Sequence, residues 1–304
     1  MTDTKYDYLS KIGLGYDSTH YTAMTNVLRY SDRLVSLDND LLKPVETFNA
    51  VQPVTVGHAH RFWQVELQLD TDNTSAFETQ QVTSGDAASR ALKSSAANSS
   101  IGYLVAQFKD TAGNNVSHSF EAAKTYLTYA KGICSNEHGV QWNPSTYRFI
   151  CVGSRTVGTT NLSVADSTQI KYTGVNKVTV NGSDVVNVLS VEWEFLADIM
   201  PIFVPNTYTG LGVKEWTGKY WVLRVTTDTK TDAFDSYINQ TGANAVIPTL
   251  SVLYNTSAGG TATHTYEASK SYISRVDPAV NYQWQADRKV ATYEVSCIGT
   301  RVIT

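Results

Sequence analysis

The 304 residues hold 24 Lys+Arg against 28 Asp+Glu, with 42% apolar and only 17% charged residues. That is chain enough for about two domains and apolar content enough for a packed core, which excludes a disordered protein. The formal charge of −4 is spread evenly, −2 in residues 1–157 and −2 in residues 158–304, so no basic block points to nucleic-acid binding by phosphate neutralisation.

The polar surface must instead come from Thr, Ser, Asn and the 18 Tyr, and Thr, Tyr and Val favour strands. The start, Met1-Thr-Asp-Thr-Lys-Tyr-Asp7, lacks the basic stretch and apolar run of a secretory signal. No apolar run approaches the ~18 residues of a membrane helix, so no membrane partner is expected. Cys134, Cys151 and Cys297 are too few for a disulfide framework, and synthesis in a reducing cytoplasm is expected. Asp38–His60, with Pro44, reads as a loop. Within it His58-Ala-His60 is the best metal candidate, but nothing nearby supplies a third ligand, so a polar loop is expected and no metal or cofactor.

The strongest signal is a repeat. His118-Ser-Phe-Glu-Ala-Ala-Lys-Thr-Tyr-Leu127 matches His264-Thr-Tyr-Glu-Ala-Ser-Lys-Ser-Tyr-Ile273 at an offset of 146. The same offset pairs Tyr147 with Tyr293, Cys151 with Cys297, Gly153 with Gly299 and Arg155 with Arg301. Upstream, Phe62-Trp63 matches Tyr220-Trp221 and Asp70 matches Asp228 at 158, and Asp40 against Asp198 keeps that offset. The first copy therefore carries extra residues in the Ala/Ser-rich stretch Gln80–Ser100, and the expected division is 1–157 and 158–304. Its first 30 residues have no match that sequence alone reveals.

In the second copy Lys177–Val186 alternates around Asn181-Gly182, a hairpin signal. Val188–Phe195 alternates with Leu189, Val191, Trp193 and Phe195 on one side and Ser190, Glu192 and Glu194 on the other, a half-buried strand. Met200–Gly218, with two prolines and three glycines, reads as a long loop or extended hairpin. Tyr220–Thr227 is a strand, Thr231–Gln240 a short helix with Asp232 as its cap, and Ile247–Tyr254, Ala262–Ser269 and Lys289–Ile298 are strands. The fold class is mainly β: two tandem sandwich or barrel domains, each with one short flanking helix.

Little points to catalysis. His118 and His264 recur, but Glu121 and Glu267 three residues on would point to the opposite face of a strand, so a shared structural role is expected. Cys151 and Cys297 read as buried and inert, whereas the unmatched Cys134 reads as exposed. No phosphate loop, nucleophile elbow or zinc-type cysteine pattern occurs, and no enzyme is expected.

The order of a strand pair (Val178–Phe195), a Pro/Gly loop, a strand, a short helix and three closing strands resembles the tail tube domain of tailed bacteriophages. Val188-Leu-Ser-Val-Glu-Trp-Glu-Phe195, Met200-Pro-Ile and Thr207–Gly218 look like that family's second strand and stacking loop; Tyr266-Glu-Ala-Ser-Lys-Ser-Tyr and Tyr293-Glu-Val-Ser-Cys look like its closing strands. The resemblance implies a structural virion protein, assembled in the host cytoplasm, whose six-domain rings stack into a hollow tail tube. Two domains per chain would make a pseudo-hexamer from three chains. Its partners would be itself and other tail proteins such as sheath, baseplate or terminator, and viral DNA would pass through without specific binding. The stacking loop would use Pro201, Pro205, Asn206, Tyr208, Gly210, Gly212 and Trp216, with Pro44 in the first copy. The channel lining, acidic or neutral so that DNA slides, would include Glu192, Glu194 and Glu294. Two other readings are a tube-end, hub or sheath component of the injection machine, and a carbohydrate- or surface-binding β-sandwich.

Overall fold

The computed structural model describes residues 6–15, 18, 21–25, 27–36, 41–42, 54–55, 61–70, 101–122, 124–136, 144–163, 171–185, 187–203, 210–228, 231–238, 240–283 and 286–304. The first half contains β1 (Tyr6–Gly15), β2 (Tyr21–Met24), β3 (Val27–Ser36), β4 (Leu41–Leu42), β5 (Val54–Thr55), β6 (Arg61–Leu69), β7 (Tyr103–Asp110), β8 (Asn115–Phe120), β9 (Thr125–Ser135), β10 (Ser145–Cys151) and β11 (Arg155–Gly158). The second contains β12 (Tyr172–Val180), β13 (Ser183–Val185), β14 (Val188–Phe203), β15 (Gly210–Thr227), the helix α1 (Asp232–Ile238), β16 (Val246–Ile247), β17 (Leu250–Thr256), β18 (Thr261–Tyr266), β19 (Ser271–Gln283), β20 (Ala286–Cys297) and β21 (Arg301–Ile303). The protein is mainly β, and every ladder between these strands is antiparallel.

Two five-stranded sheets share one order, β2-β1-β7-β8-β11 and β13-β12-β17-β18-β21. They pack on one nine-stranded sheet that runs through both halves, β16-β19-β20-β15-β14-β9-β10-β6-β3. A single apolar cluster joins all three, from Ile12, Leu104 and Phe149 in the first half to Val178, Trp221 and Tyr293 in the second. Alternation builds it: in β6, Val65, Leu67 and Leu69 are buried while Gln64, Glu66 and Gln68 stay partly exposed, the pattern of a sheet with one covered face.

The halves repeat in register as well as in order. Leu104 opposite Phe120 returns as Leu250 opposite Tyr266, an offset of 146. Tyr6 opposite Asp110 returns as Tyr172 opposite Thr256, and the two register shifts of β1 on β7 recur in β12 on β17. Leu34 opposite Trp63 returns as Phe195 opposite Trp221, with the shift after Val27 repeated after Val188. β1, β2 and β3 thus have counterparts, hidden from sequence comparison because offsets differ: 166 for β1 and 161 for β2 and β3. The expected pairing of Asp40 with Asp198 falls on Asp40, which lies outside the described residues.

Asn181 and Gly182 take φ of 47° and 79°, the left-handed pair of a two-residue hairpin turn, as the sequence predicts. Of the two readings of Met200–Gly218, the hairpin holds: β14 and β15 stay laddered out to Phe203 opposite Gly210. Helix α1 is capped one residue earlier than expected, by Thr231, whose Oγ1 lies 3.4 Å from the Ala233 amide that it accepts from. The stretch where a flanking helix is expected in the first half lies, with Gln80–Ser100, outside the described residues.

Candidate assembly interface

Each half carries one polar stack between its five-stranded sheet and the long sheet, buried in the second half and only partly buried in the first. In the first, Tyr6 Oη lies 3.0 Å from His118 Nε2, His118 Nδ1 lies 2.9 Å from Asp32 Oδ2, and Arg155 Nη1 donates to the same oxygen at 2.6 Å. Arg155 also lies 3.9 Å over the Trp63 ring. In the second, Tyr172 Oη lies 2.5 Å from His264 Nε2 and Arg301 Nη1 lies 3.3 Å from His264 Nδ1. Arg301 sits between two rings, 4.1 Å from the Trp221 centroid and 4.4 Å from that of Trp193. Trp193 occupies the place of Asp32. A carboxylate can only accept, so His118 carries its proton on Nδ1; a guanidinium can only donate, so His264 carries its proton on Nε2. Burial first, then the charge of Arg301, pushes the His264 pKa well below its ordinary value, so the ring is neutral. For Asp32, burial works against ionisation, but the bonds from His118 and Arg155 prevail and hold its pKa below the usual carboxylate value.

Glu121 and Glu267 do leave the histidine side, and their partner is the next turn. Glu121 Oε2 accepts from Ser154 N and Oγ at 2.8 and 3.0 Å; Glu267 Oε2 accepts from Thr300 N and Oγ1 at 2.9 and 3.2 Å. The repeated glycines follow from this: a Cβ at Gly299 would lie 2.7 Å from Glu267 Oε2, and one at Gly153 would meet Glu121.

The junction between halves is a strand ladder. β9 pairs with β14 from Ser135 opposite Ser190 to Tyr129 opposite Leu196. Gly132 faces Trp193, and a Cβ there would sit 2.5 Å from the indole, so the glycine makes room for the ring that stacks on Arg301. Asn136 closes the end of the ladder. Its Nδ2 donates to the carbonyls of Val175 and Val188 at 2.8 and 2.9 Å, and its Oδ1 accepts from Val175 N at 2.8 Å.

The uncovered face of the long sheet carries the three glutamates singled out from sequence, and the structure brings them together. Arg224 Nη1 bonds Glu192, and donates to Glu194 at 2.8 Å; Arg224 Nε donates to Glu294 at 2.9 Å. Lys131 lies 2.9 Å from Glu192, and Tyr129 Oη donates to Glu194 at 2.8 Å. Burial opposes ionisation of Glu194, but Tyr129, Arg224 and Lys131 lower its pKa below the ordinary value. Three carboxylates on this face thus share two cations, Arg224 and Lys131. In the first half the pair Glu66–Arg148, at 2.9 Å, stands where Arg224–Glu294 stands in the second, with the two charges exchanged between strands. Charge exchange preserves the bond while erasing the sequence match, and only the ladder reveals it.

Of the residues expected in the stacking loop, Pro201, Gly210 and Gly212 lie on the ladder of the β14–β15 arm, and Trp216 lies in β15. Pro205, Asn206, Tyr208 and Pro44 lie outside the described residues, as do His58 and His60. Cys134 is corrected: it is 1% exposed, and burial pushes its thiol pKa up to about 12; Cys297 is pushed up to about 12 and Cys151 is also raised. Among the described residues no group of three metal-ligating side chains occurs, and no helix is long and apolar enough to cross a membrane. No family model matches the chain and no curated protein matches it.

Proposed function

We propose that the protein is a tail tube protein of a tailed phage: a structural virion component in which three chains, each contributing two tail-tube-like domains, close a ring, and rings stack into a hollow tube through which the genome passes. One observation carries this reading. The long sheet repeats one four-strand unit, β3-β6-β10-β9 and β14-β15-β20-β19, joined edge to edge by β9 and β14. Among the described residues β3 ladders only with β6, and β19 pairs beyond β20 only with β16, at Ser271 and Tyr272. The two remaining edges are the counterparts of the joined ones, so further copies can add by the same contact until the sheet closes.

A face on which Lys131, Arg148 and Arg224 are already paired with carboxylates suits a channel, since free cations would hold phosphates, and the β14–β15 arm extends beyond the ladders with β9 and β20 as a stacking element would. A sugar-binding sandwich has less support: Trp63 lies under Arg155, and Trp193 and Trp221 are buried around Arg301, so these rings offer no stacking platform. Negative-stain microscopy of the purified protein tests the proposal. Hollow stacked rings are expected; monodisperse globular particles at every concentration would overturn it.

A further inference from the structure

The joined and the open edges are not interchangeable, and the difference lies in their charges. Within the chain, Glu194 on β14 stands directly opposite Lys131 on β9. The counterpart of Glu194 is Arg33, because Arg33 faces Gln64 as Glu194 faces Val222. The counterpart of Lys131 is Asp277, because Asp277 faces Thr292 as Lys131 faces Thr146. Both signs are reversed, and both side chains are exposed.

From this we infer that the β3 edge docks on the β19 edge of a second copy of this chain in the register of the internal junction, with Arg33 opposite Asp277, and that the reversal dictates which edges may join. It rests on the ring reading above and adds its pairing rule. Arg33 against Asp277 attracts, as Glu194 against Lys131 does. The crossed junctions, β3 on a β9 edge and β14 on a β19 edge, oppose Arg33 to Lys131 and Glu194 to Asp277, and both repel. Chains therefore join head to tail without exchanging halves, the arrangement that closes a ring.

Exposure of the apolar neighbours agrees. Leu34 is 46% exposed, whereas its counterpart Phe195, at the covered junction, is 0% exposed. In the docked register Leu34 meets Val276, half-buried here, whose counterpart Ala130 is 0% exposed. Other groups face the pair: Arg33 donates to Gln64 Oε1 at 2.9 and 2.6 Å, and Arg275 lies 2.7 Å from Asp277. Docking puts Arg275 opposite Val35, so Asp277 lies between two guanidinium groups, Arg33 and Arg275, and Arg275 in turn faces Glu294 on β20. At the next position Asp32 replaces Trp193, so glycine is not required opposite it, and Pro278 stands in the place of Gly132.

The test is charge reversal in the full chain, read by native mass spectrometry and sedimentation. Arg33→Glu and Asp277→Lys, each alone, are expected to raise the midpoint concentration for ring formation roughly tenfold, with unchanged circular dichroism, and the double variant to restore assembly. Rings from both single variants at the wild-type midpoint would overturn the pairing rule and leave the tube reading standing. Failure of the double variant to recover, with its fold intact, would also overturn the rule. Wild-type chains that stay monomeric at all concentrations would overturn both.

Discussion

The two histidines show how one repeated residue is held by different neighbours. His118 is fixed by a carboxylate, Asp32; His264 is fixed by a cation, Arg301, and stays neutral. The pH consequence follows. A folded-state pKa below the unfolded value of about 6.5 means that, on acidification, the unfolded chain takes up a proton that the native chain refuses. His264 therefore costs stability as pH falls below about 6.5, by up to ~1.4 kcal/mol per unit. Asp32 acts lower, where its stabilising charge is lost as pH falls through a folded pKa below the usual carboxylate value. Urea unfolding of His264→Gln and the parent at pH 7 and pH 5 separates the two: the variant is expected to lose less stability between these values, and equal losses would refute the neutral-histidine account. Gly132→Val probes the adjacent contact. Its Cβ would press on the Trp193 ring at 2.5 Å, and overpacking of this kind costs about 1–3 kcal/mol, measurable as a lowered urea midpoint.

Among the strands and turns, the β14–β15 arm is where the proposed ring formation and the proposed stacking can be tested apart. Replacing residues 201–213 by a two-residue turn keeps the pair Met200–Lys214 as the last rung and leaves every ladder with β9 and β20 in place. Such a variant is expected to form rings that do not stack, read by microscopy; tubes of normal length would remove the arm from the stacking role. How far sequence reveals these elements depends on what each conserves between halves. Asn181-Gly182 and the β14 alternation are local signals, read directly. His118 and Arg155 match His264 and Arg301 at a constant offset because both lie downstream of the last length difference, whereas Tyr6 and Tyr172 in the same stacks are 166 apart and escape the comparison. β19 is missed: a register shift between Ile273 and Arg275 breaks its alternation, and Pro278 argues against a strand unless the edge is known to be open. The match of β3 to β14 is missed because Asp32 faces Trp193 and Arg33 faces Glu194 in the comparison, changes that only the surrounding partners explain. The glutamates of the uncovered face are legible by period two, but their common partner Arg224 lies on the next strand, and pairing across strands is not written in either segment.

For the assembled particle, the question is whether three or six chains make a ring. With six, one half of each chain would line the channel and the other would decorate the outside. That arrangement needs the halves in different sheets, or at different radii of one. The β9–β14 ladder instead sets both halves side by side in a single sheet, and their ion pairs, Glu66–Arg148 and Arg224–Glu294, occupy equivalent places on the same uncovered face. Both halves therefore line whatever that face encloses. If six four-strand units close the barrel, three chains supply them, and the rotation that relates the halves within a chain must also relate neighbouring chains. Native mass spectrometry of rings from the arm-shortened variant, which keeps stacking from confusing the count, is expected to give a mass near three chains, about 100 kDa from the 33.4 kDa monomer less the removed arm. Image averages should show six similar lobes with true three-fold symmetry, because the halves differ in length. A mass near six chains, or lobes at two radii, would mean that the long sheet does not close through β3 and β19, and would sink the pseudo-hexamer.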